Sequence, residues 1–307
     1  MASRHDRISD LLPSFHRYLL EKNRSPRTVT NYCSSAELLE SWLIHDSRSA
    51  NLADIGRQDI EAFVVDQLKR RSAATAATRF RCLQQYFKWL ALEDEIDSNP
   101  MAGMTAPNVE EPPVPILMED ELEALLQSTE GQGFDRRRDH AIIRVLIDTG
   151  IRVGELVQIE LGNVDLNRGE ILVHGKGARS RHVPLGAKSV EALNRYLGER
   201  RCQPHEGDAA LWIGVRGPLS ESGVAQLLRR RGAECGVDGV TPNRFRHSFA
   251  HKWLLDGGDE GDLQQLAGWR SNQMMQRYRA SARAERASRL RTRAVRLRGE
   301  AVKARTS

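Results

Sequence analysis

The chain has 307 residues, enough for two domains with separate cores, and its 40% hydrophobic and 28% charged residues are those of a water-soluble globular protein. No run approaches the roughly 18–20 apolar residues of a membrane span, and the opening MASRHDRISD lacks the apolar core of a signal peptide. The formal net charge of +5 is uneven: residues 279–307 hold ten Lys/Arg against two Asp/Glu, and residues 1–278 hold 36 against 39. A generally basic surface is thereby excluded, and any face that binds a polyanion must be a local patch. Cys33, Cys82, Cys202 and Cys235 are scattered, without a C-x-x-C pair or a His at metal spacing. Their spacing predicts a reduced, cytosolic compartment without disulfides and a chain without a metal site.

In chain order, Ile8, Leu11, Leu12, Phe15, Tyr18 and Leu19 recur at helical spacing and predict a helix over 6–22. Ser25-Pro26, a cap followed by proline at the first helical position, opens a second helix carrying Val29, Tyr32, Cys33, Ala36, Leu39 and Leu43. A third is expected from Asp59 to Leu68 and a fourth from Ser72 to about Leu92, ended by Asn99-Pro100. Two basic clusters lie beside small polar residues: Arg27 and Thr28 near Ser25 and Asn31, and Arg70, Arg71 and Arg79 near Ser72, Thr75 and Thr78. Either cluster alone reads as a solvated helix face, but hydroxyls and guanidiniums at helix starts are also what phosphate contacts are made from.

Residues 103–115, GMTAPNVEEPPVP, hold four prolines and no periodicity, and predict a semi-rigid linker. Beyond it, helices are expected over Met118–Ser128 and Asp135–Asp148. Gly150 breaks the second, and Arg152 starts the next with Glu155 one turn on. Strands are expected over Gly169–Val173 and Ser180–Leu185, joined by a turn that presents Lys176 between two glycines. Helices follow at about 187–201 and 221–235. Thr241-Pro242 then opens a helix with Asn243 and Arg246 one turn apart. A Gly257-Gly258 break, a short helix, a Gly268-Trp269 corner and Tyr278 complete the body.

Taken in order, TGIRVGEL, HGKGARSRHVPL, NRFRH, LAGW and the Tyr278 segment resemble the boxes of the tyrosine recombinases, the phage integrase family. The resemblance covers nearly the whole chain. It implies a mainly α fold: a helical, SAM-like core-site DNA-binding domain over 1–102, the linker 103–115, and an α+β catalytic domain over 116–281 with a small antiparallel sheet. A basic tail helix follows over 282–307. The implied catalytic residues are Arg152, Lys176, Asn243, Arg246, Trp269 and Tyr278, with Glu155 buttressing Arg152. Arg27, Thr28, Arg70, Arg71, Arg79, Arg179 and Arg244 are expected on DNA.

The chemistry of these residue types agrees. Two permanently charged, planar guanidiniums can hold the non-bridging oxygens of a phosphodiester while Tyr278 attacks phosphorus. The products are a 3′-phosphotyrosine and a free 5′-hydroxyl, with Lys176 as proton donor to the leaving oxygen. The covalent link keeps the bond energy, so rejoining requires neither ATP nor metal, and no cofactor is expected. One departure stands out: the family's H-x-x-R pattern has Asn243 in place of His. An amide can donate to a phosphate oxygen but cannot accept the nucleophile's proton. Each residue also has a structural reading. Lys176 fits an ordinary turn, Trp269 a partly buried core position, and the i, i+4 pair His247 and His251 fits packing or DNA contact better than a zinc site.

In the tail, Ala287, Leu290, Ala294, Leu297 and Ala301 form a narrow apolar stripe on a basic helix. It fits docking into a neighbouring protomer, folding on DNA, or membrane-surface binding, in that order. The expected partners are therefore double-stranded DNA recombination sites, a homotetramer on DNA through tail exchange, and accessory DNA-bending proteins, with no membrane. The expected setting is the bacterial nucleoid, with a phage or mobile element as the source, and strand exchange through a Holliday junction. The chain begins with the core-binding domain and is expected to lack an arm-site module. A Xer-like chromosome-dimer resolvase is the alternative role. A type IB topoisomerase or a non-catalytic DNA-binding derivative would carry the same residues.

Overall fold

The computed structural model describes residues 7–110, 114–175 and 179–269, together with 275, 276, 278, 279, 282, 283, 285 and 286. It divides into two compact units, Met1–Pro112 and Pro113–Ser307. In the first, four helices surround one core: α1 (Ile8–Glu21), α2 (Pro26–His45), α3 (Arg57–Arg70) and α4 (Ala73–Leu92). Ile8, Leu11, Phe15 and Leu19, spaced three or four apart, are the buried face of α1. Phe15 stands at the centre, its ring 5.0 Å from both Tyr86 and Trp89 of α4. Burial of one such ring contributes about 1.5–3 kcal/mol, so this cluster anchors the unit. Ser25 and Ser72 cap α2 and α4 by accepting from the Thr28 and Thr75 amides. α3 begins two residues earlier than its apolar pattern predicts. The Asp59 carboxylate reaches back to the Gly56 amide at 2.9 Å and so caps a turn that carries no apolar residue.

The second unit is helical around a small sheet, as expected. Its elements are α5 (Glu119–Ser128), α6 (Phe134–Thr149), α7 (Val153–Val157), β1 (Val164–Asp165), β2 (Glu170–Gly175) and β3 (Arg179–Pro184). They continue with α8 (Ala187–Arg200), β4 (Ile213–Gly214), β5 (Gly217–Pro218), α9 (Glu221–Cys235), α10 (Pro242–Leu255) and α11 (Glu260–Ala267). β1, β2 and β3 pair antiparallel in that order, with Ile171 opposite Val183 and Val173 opposite Arg181. β1 and the β4–β5 hairpin were not expected: two-residue strands have no alternation to read.

Helix α6 runs through the middle of this unit. Ala141, Ile142, Ile143, Val145 and Leu146 are all fully buried, in one core with Ile171, Leu193, Tyr196, Trp212, Leu228 and Phe245. A second cluster joins α10 and α11 to the C-terminal residues through Ala250, Leu254, Leu263, Ala267, Met275, Tyr278 and Ala282. Two glycines set the corners where these layers meet. Gly150 ends α6 at φ 55°, and a Cβ there would lie 2.5 Å from the Phe249 ring. Gly268 ends α11 at φ 62°. Both helices stop in the left-handed conformation that glycine adopts without strain.

Candidate active site

The last turn of α11 organises the polar centre of the second unit. A helix ends with unpaired carbonyls and a partial negative charge. Here three successive carbonyls each accept from a different guanidinium. Leu266 O takes Arg181 Nε at 2.8 Å, Ala267 O takes Arg246 Nη2 at 2.6 Å, and Gly268 O takes Arg152 Nη2 at 2.9 Å. Three like charges, from the residue that precedes α7, from β3 and from α10, are thus gathered at one helix terminus.

Glu155 supplies the countercharge. It is buried on the first turn of α7, and the Arg152 amide donates to its Oε2 at 3.0 Å, which closes that turn. Arg152 Nη1 donates to Oε1 at 3.1 Å, and Arg181 grips both oxygens at 3.0 Å. Burial pushes the Glu155 carboxyl up, but hydrogen bonds from Arg181 and the Arg152 amide, with the charges of both guanidiniums, hold it below the usual carboxylate range. It is therefore a fixed anion at neutral pH. Arg152 itself is 46% exposed, so one side of its guanidinium faces solvent.

Arg246 lies deeper, 7% exposed, with Nη1 donating to Gly150 O at 2.8 Å opposite its bond to Ala267. Burial, and then the charge of Arg152, lowers its guanidinium to about 10, which leaves it cationic at neutral pH. Its charge sits 5.1 Å from the Trp269 ring centre, and Trp269 stacks on Tyr278 at 5.0 Å with planes only 6° apart. Tyr278 is fully buried. Its hydroxyl shares a hydrogen bond with Nδ1 of His247. Asn243, Arg246 and His247 lie at i, i+3 and i+4 on α10 and share a face; Asn243 is exposed on the first turn.

The structure thus brings Arg152, Glu155, Arg246, Trp269 and Tyr278 into one connected group, with Asn243 one turn from it. Lys176 lies outside the described residues, and so does the tail stripe of Ala287, Leu290, Ala294, Leu297 and Ala301. Arg179 pairs with Gly175 at the start of β3. Arg244 goes elsewhere than expected. It donates to Asp238 O at 2.6 Å and Ile116 O at 2.7 Å and forms an ion pair with Glu121 at 3.1 Å, so it holds its own unit together. In the first unit, Arg27, Arg70 and Arg71 are exposed and Thr28 is half-buried, its hydroxyl 2.7 Å from Ser25 Oγ. Arg70 pairs with Asp66 at 2.8 Å, and Arg79 donates to Gln67.

Sequence reasoning missed Arg181 and did not find the partner of His247. Arg181 shares a strand face with the core residue Val183, and an inward-pointing arginine on a strand demands a buried anion. That signal was in the alternation of R-S-R-H-V. His247 and His251 do not converge: His247 meets Tyr278, and His251 Nε2 pairs with Glu285 at 2.6 Å.

A helical unit and a mixed unit in which guanidiniums gather at one helix end, with a tryptophan between Arg246 and a tyrosine, fit an enzyme of phosphodiester transfer. The model of the phage integrase family matches residues 115–285, and that of the phage integrase N-terminal SAM-like domain matches residues 12–94. The tyrosine recombinase XerC of Pelotomaculum thermopropionicum is 31% identical over 271 residues, 84% of this chain and 89% of that one. The crystal structure of XerA recombinase is 28% identical, with 93% of this chain and 99% of that one covered at a TM-score of 0.53. A lambda integrase tetramer bound to a Holliday junction is 21% identical and shares the fold at a TM-score of 0.70, over 90% of this chain and 78% of that one. The chain belongs to the phage integrase family and is a site-specific tyrosine recombinase.

Proposed function

We propose that this enzyme cuts and rejoins duplex DNA by transesterification, with Arg152 and Arg246 holding the scissile phosphate and Tyr278 attacking it. The observation that carries the reading is the gathering of guanidiniums at the end of α11, beside a tryptophan stacked on that tyrosine. A guanidinium has five N–H donors, and the anchors named for Arg152 and Arg246 take two of each. The remaining donors suit the oxygens of a phosphate, on which charge grows as the tyrosine adds. Glu155 fixes the position of Arg152, Asn243 positions the phosphate, Trp269 covers the site, and Lys176 protonates the leaving 5′-oxygen. In the first unit, Arg27, Thr28, Arg70, Arg71 and Arg79 offer phosphate contacts, as does Arg179 in the second.

Four protomers on two sites would exchange strands pairwise through a Holliday junction, the assembly named for the lambda integrase relative in fold. The C-terminal segment would link them in trans, and DNA-bending proteins would assist. As to role, Asn243 and the basic tail favour integration of a mobile element. The similarity to a XerC recombinase over most of both chains favours the second reading, resolution of chromosome dimers. A two-site plasmid tests the activity: recombinant circles form with EDTA present and ATP absent, and the Tyr278→Phe enzyme makes none. Relaxation of a plasmid lacking the site would instead indicate a topoisomerase.

A further inference from the structure

Asn243 cannot take a proton, yet a phenol with a pKa of about 10 must lose one to attack phosphorus at neutral pH. The side chain on this face of α10 that can accept it is His247, one turn beyond Asn243, and its Nδ1 already meets the Tyr278 hydroxyl. We propose that His247 is the proton acceptor for Tyr278 in strand cleavage; this rests on the reading of Tyr278 as the nucleophile.

The placement of the two rings follows from their neighbours. Trp269 stacks on one face of the Tyr278 ring. The His247 ring centre lies 5.7 Å from that of Tyr278, tilted by 42°, an arrangement set by a hydrogen bond rather than by stacking. The rotation of α10 that presents His247 is fixed one residue earlier, where Arg246 is tied to Gly150 O on one side and Ala267 O on the other. Thr241 caps the same helix through the Arg244 amide, so its first two turns are held at both ends.

The step balances without a co-reactant. Tyr278 Oη forms a bond to phosphorus, its proton passes to His247 Nδ1, and the bond from phosphorus to the 5′-oxygen breaks. The leaving oxygen is protonated by Lys176 or by water. In rejoining, the 5′-hydroxyl attacks and gives its proton back to Lys176 or to water, and His247 returns its proton to the departing phenolate. An imidazole with a pKa of about 6.5 is a weak acceptor for a resting phenol, so the proton moves as the new bond to phosphorus forms. The charges of Arg152 and Arg246 favour that transfer by stabilising the negative charge that develops. The titratable group that Asn243 lacks is thus supplied from the next turn of the same helix.

The test is single-turnover adduct formation on a nicked suicide duplex carrying a site selected from random DNA by the full chain. The duplex is made with oxygen or with sulfur at the bridging 5′ position. His247→Gln is expected to slow adduct formation about 10²-fold with DNA affinity unchanged, the usual range for loss of a general base. Sulfur, a leaving group that needs no proton, should not restore it. Adding Asn243→His to His247→Gln should recover most of the rate, and free imidazole should partly rescue His247→Ala. A wild-type rate in His247→Gln overturns the proposal. So does full recovery with sulfur, which would make His247 a donor to the leaving group, and so does failure of both rescues in folded, DNA-binding variants. Tyr278→Phe is run alongside: an adduct in that variant would refute the nucleophile itself rather than His247's part.

Discussion

At the scale of single residues, the site depends on Glu155, a buried anion that pairs with both Arg152 and Arg181. Glu155→Gln keeps the shape and removes the charge, which leaves two guanidiniums without their countercharge. The loss of one partner from a buried pair predicts destabilisation on the order of 3 kcal/mol, measured by urea unfolding at pH 7. The folded carboxyl titrates below its unfolded range, so its contribution is complete above the unfolded pKa and is lost as pH falls through the folded one. The gap between wild type and variant should therefore narrow on acidification below about pH 4. Asn243, exposed at the start of α10, is a different case. Asn243→His alone should keep or raise the rate of adduct formation, and a large loss would refute the positioning role assigned to the amide.

At the scale of elements, two glycine corners bring the charges together. A side chain at Gly150 would meet Phe249 at 2.5 Å and would also require a left-handed backbone. Gly150→Ala should then cost at least about 1–2 kcal/mol in thermal or urea unfolding from the backbone alone. It should also reduce adduct formation, because Gly150 O anchors Arg246. Most of these elements could be read from the chain: the caps at Ser25, Ser72 and Thr241 and the breaks at Gly150 and Gly268 are local signals. Arg152, Arg246, Trp269 and Tyr278 were equally legible, because their spacing resembles a known pattern. What could not be read was tertiary. The α11 carbonyls that hold Arg181, Arg246 and Arg152 are backbone atoms with no signature in side-chain type. Glu121 draws Arg244 away from 123 residues upstream. His247 read as a residue of packing or DNA contact, because its partner lies 31 residues on.

At the scale of the molecule, the segment that carries Tyr278 is held onto α10 and α11 by Met275, Tyr278 and Ala282, by the His251–Glu285 pair, and by Arg279 bonded to Glu260. Truncation after residue 286 keeps all of these contacts. It should leave cleavage of a single nicked site near the wild-type rate while lowering the yield of paired-site complexes in a gel-shift assay. Intact pairing and strand exchange after that truncation would refute exchange of the tail between protomers. The proposed activity turns on one covalent bond. The direct measurement is the mass of the peptides released after trapping on the suicide duplex. The peptide containing Tyr278 is predicted to carry an oligonucleotide through a 3′-phosphate, with the 5′-hydroxyl left on the other strand end. A nucleotide on any other residue, or a link through a 5′-phosphate, would contradict it.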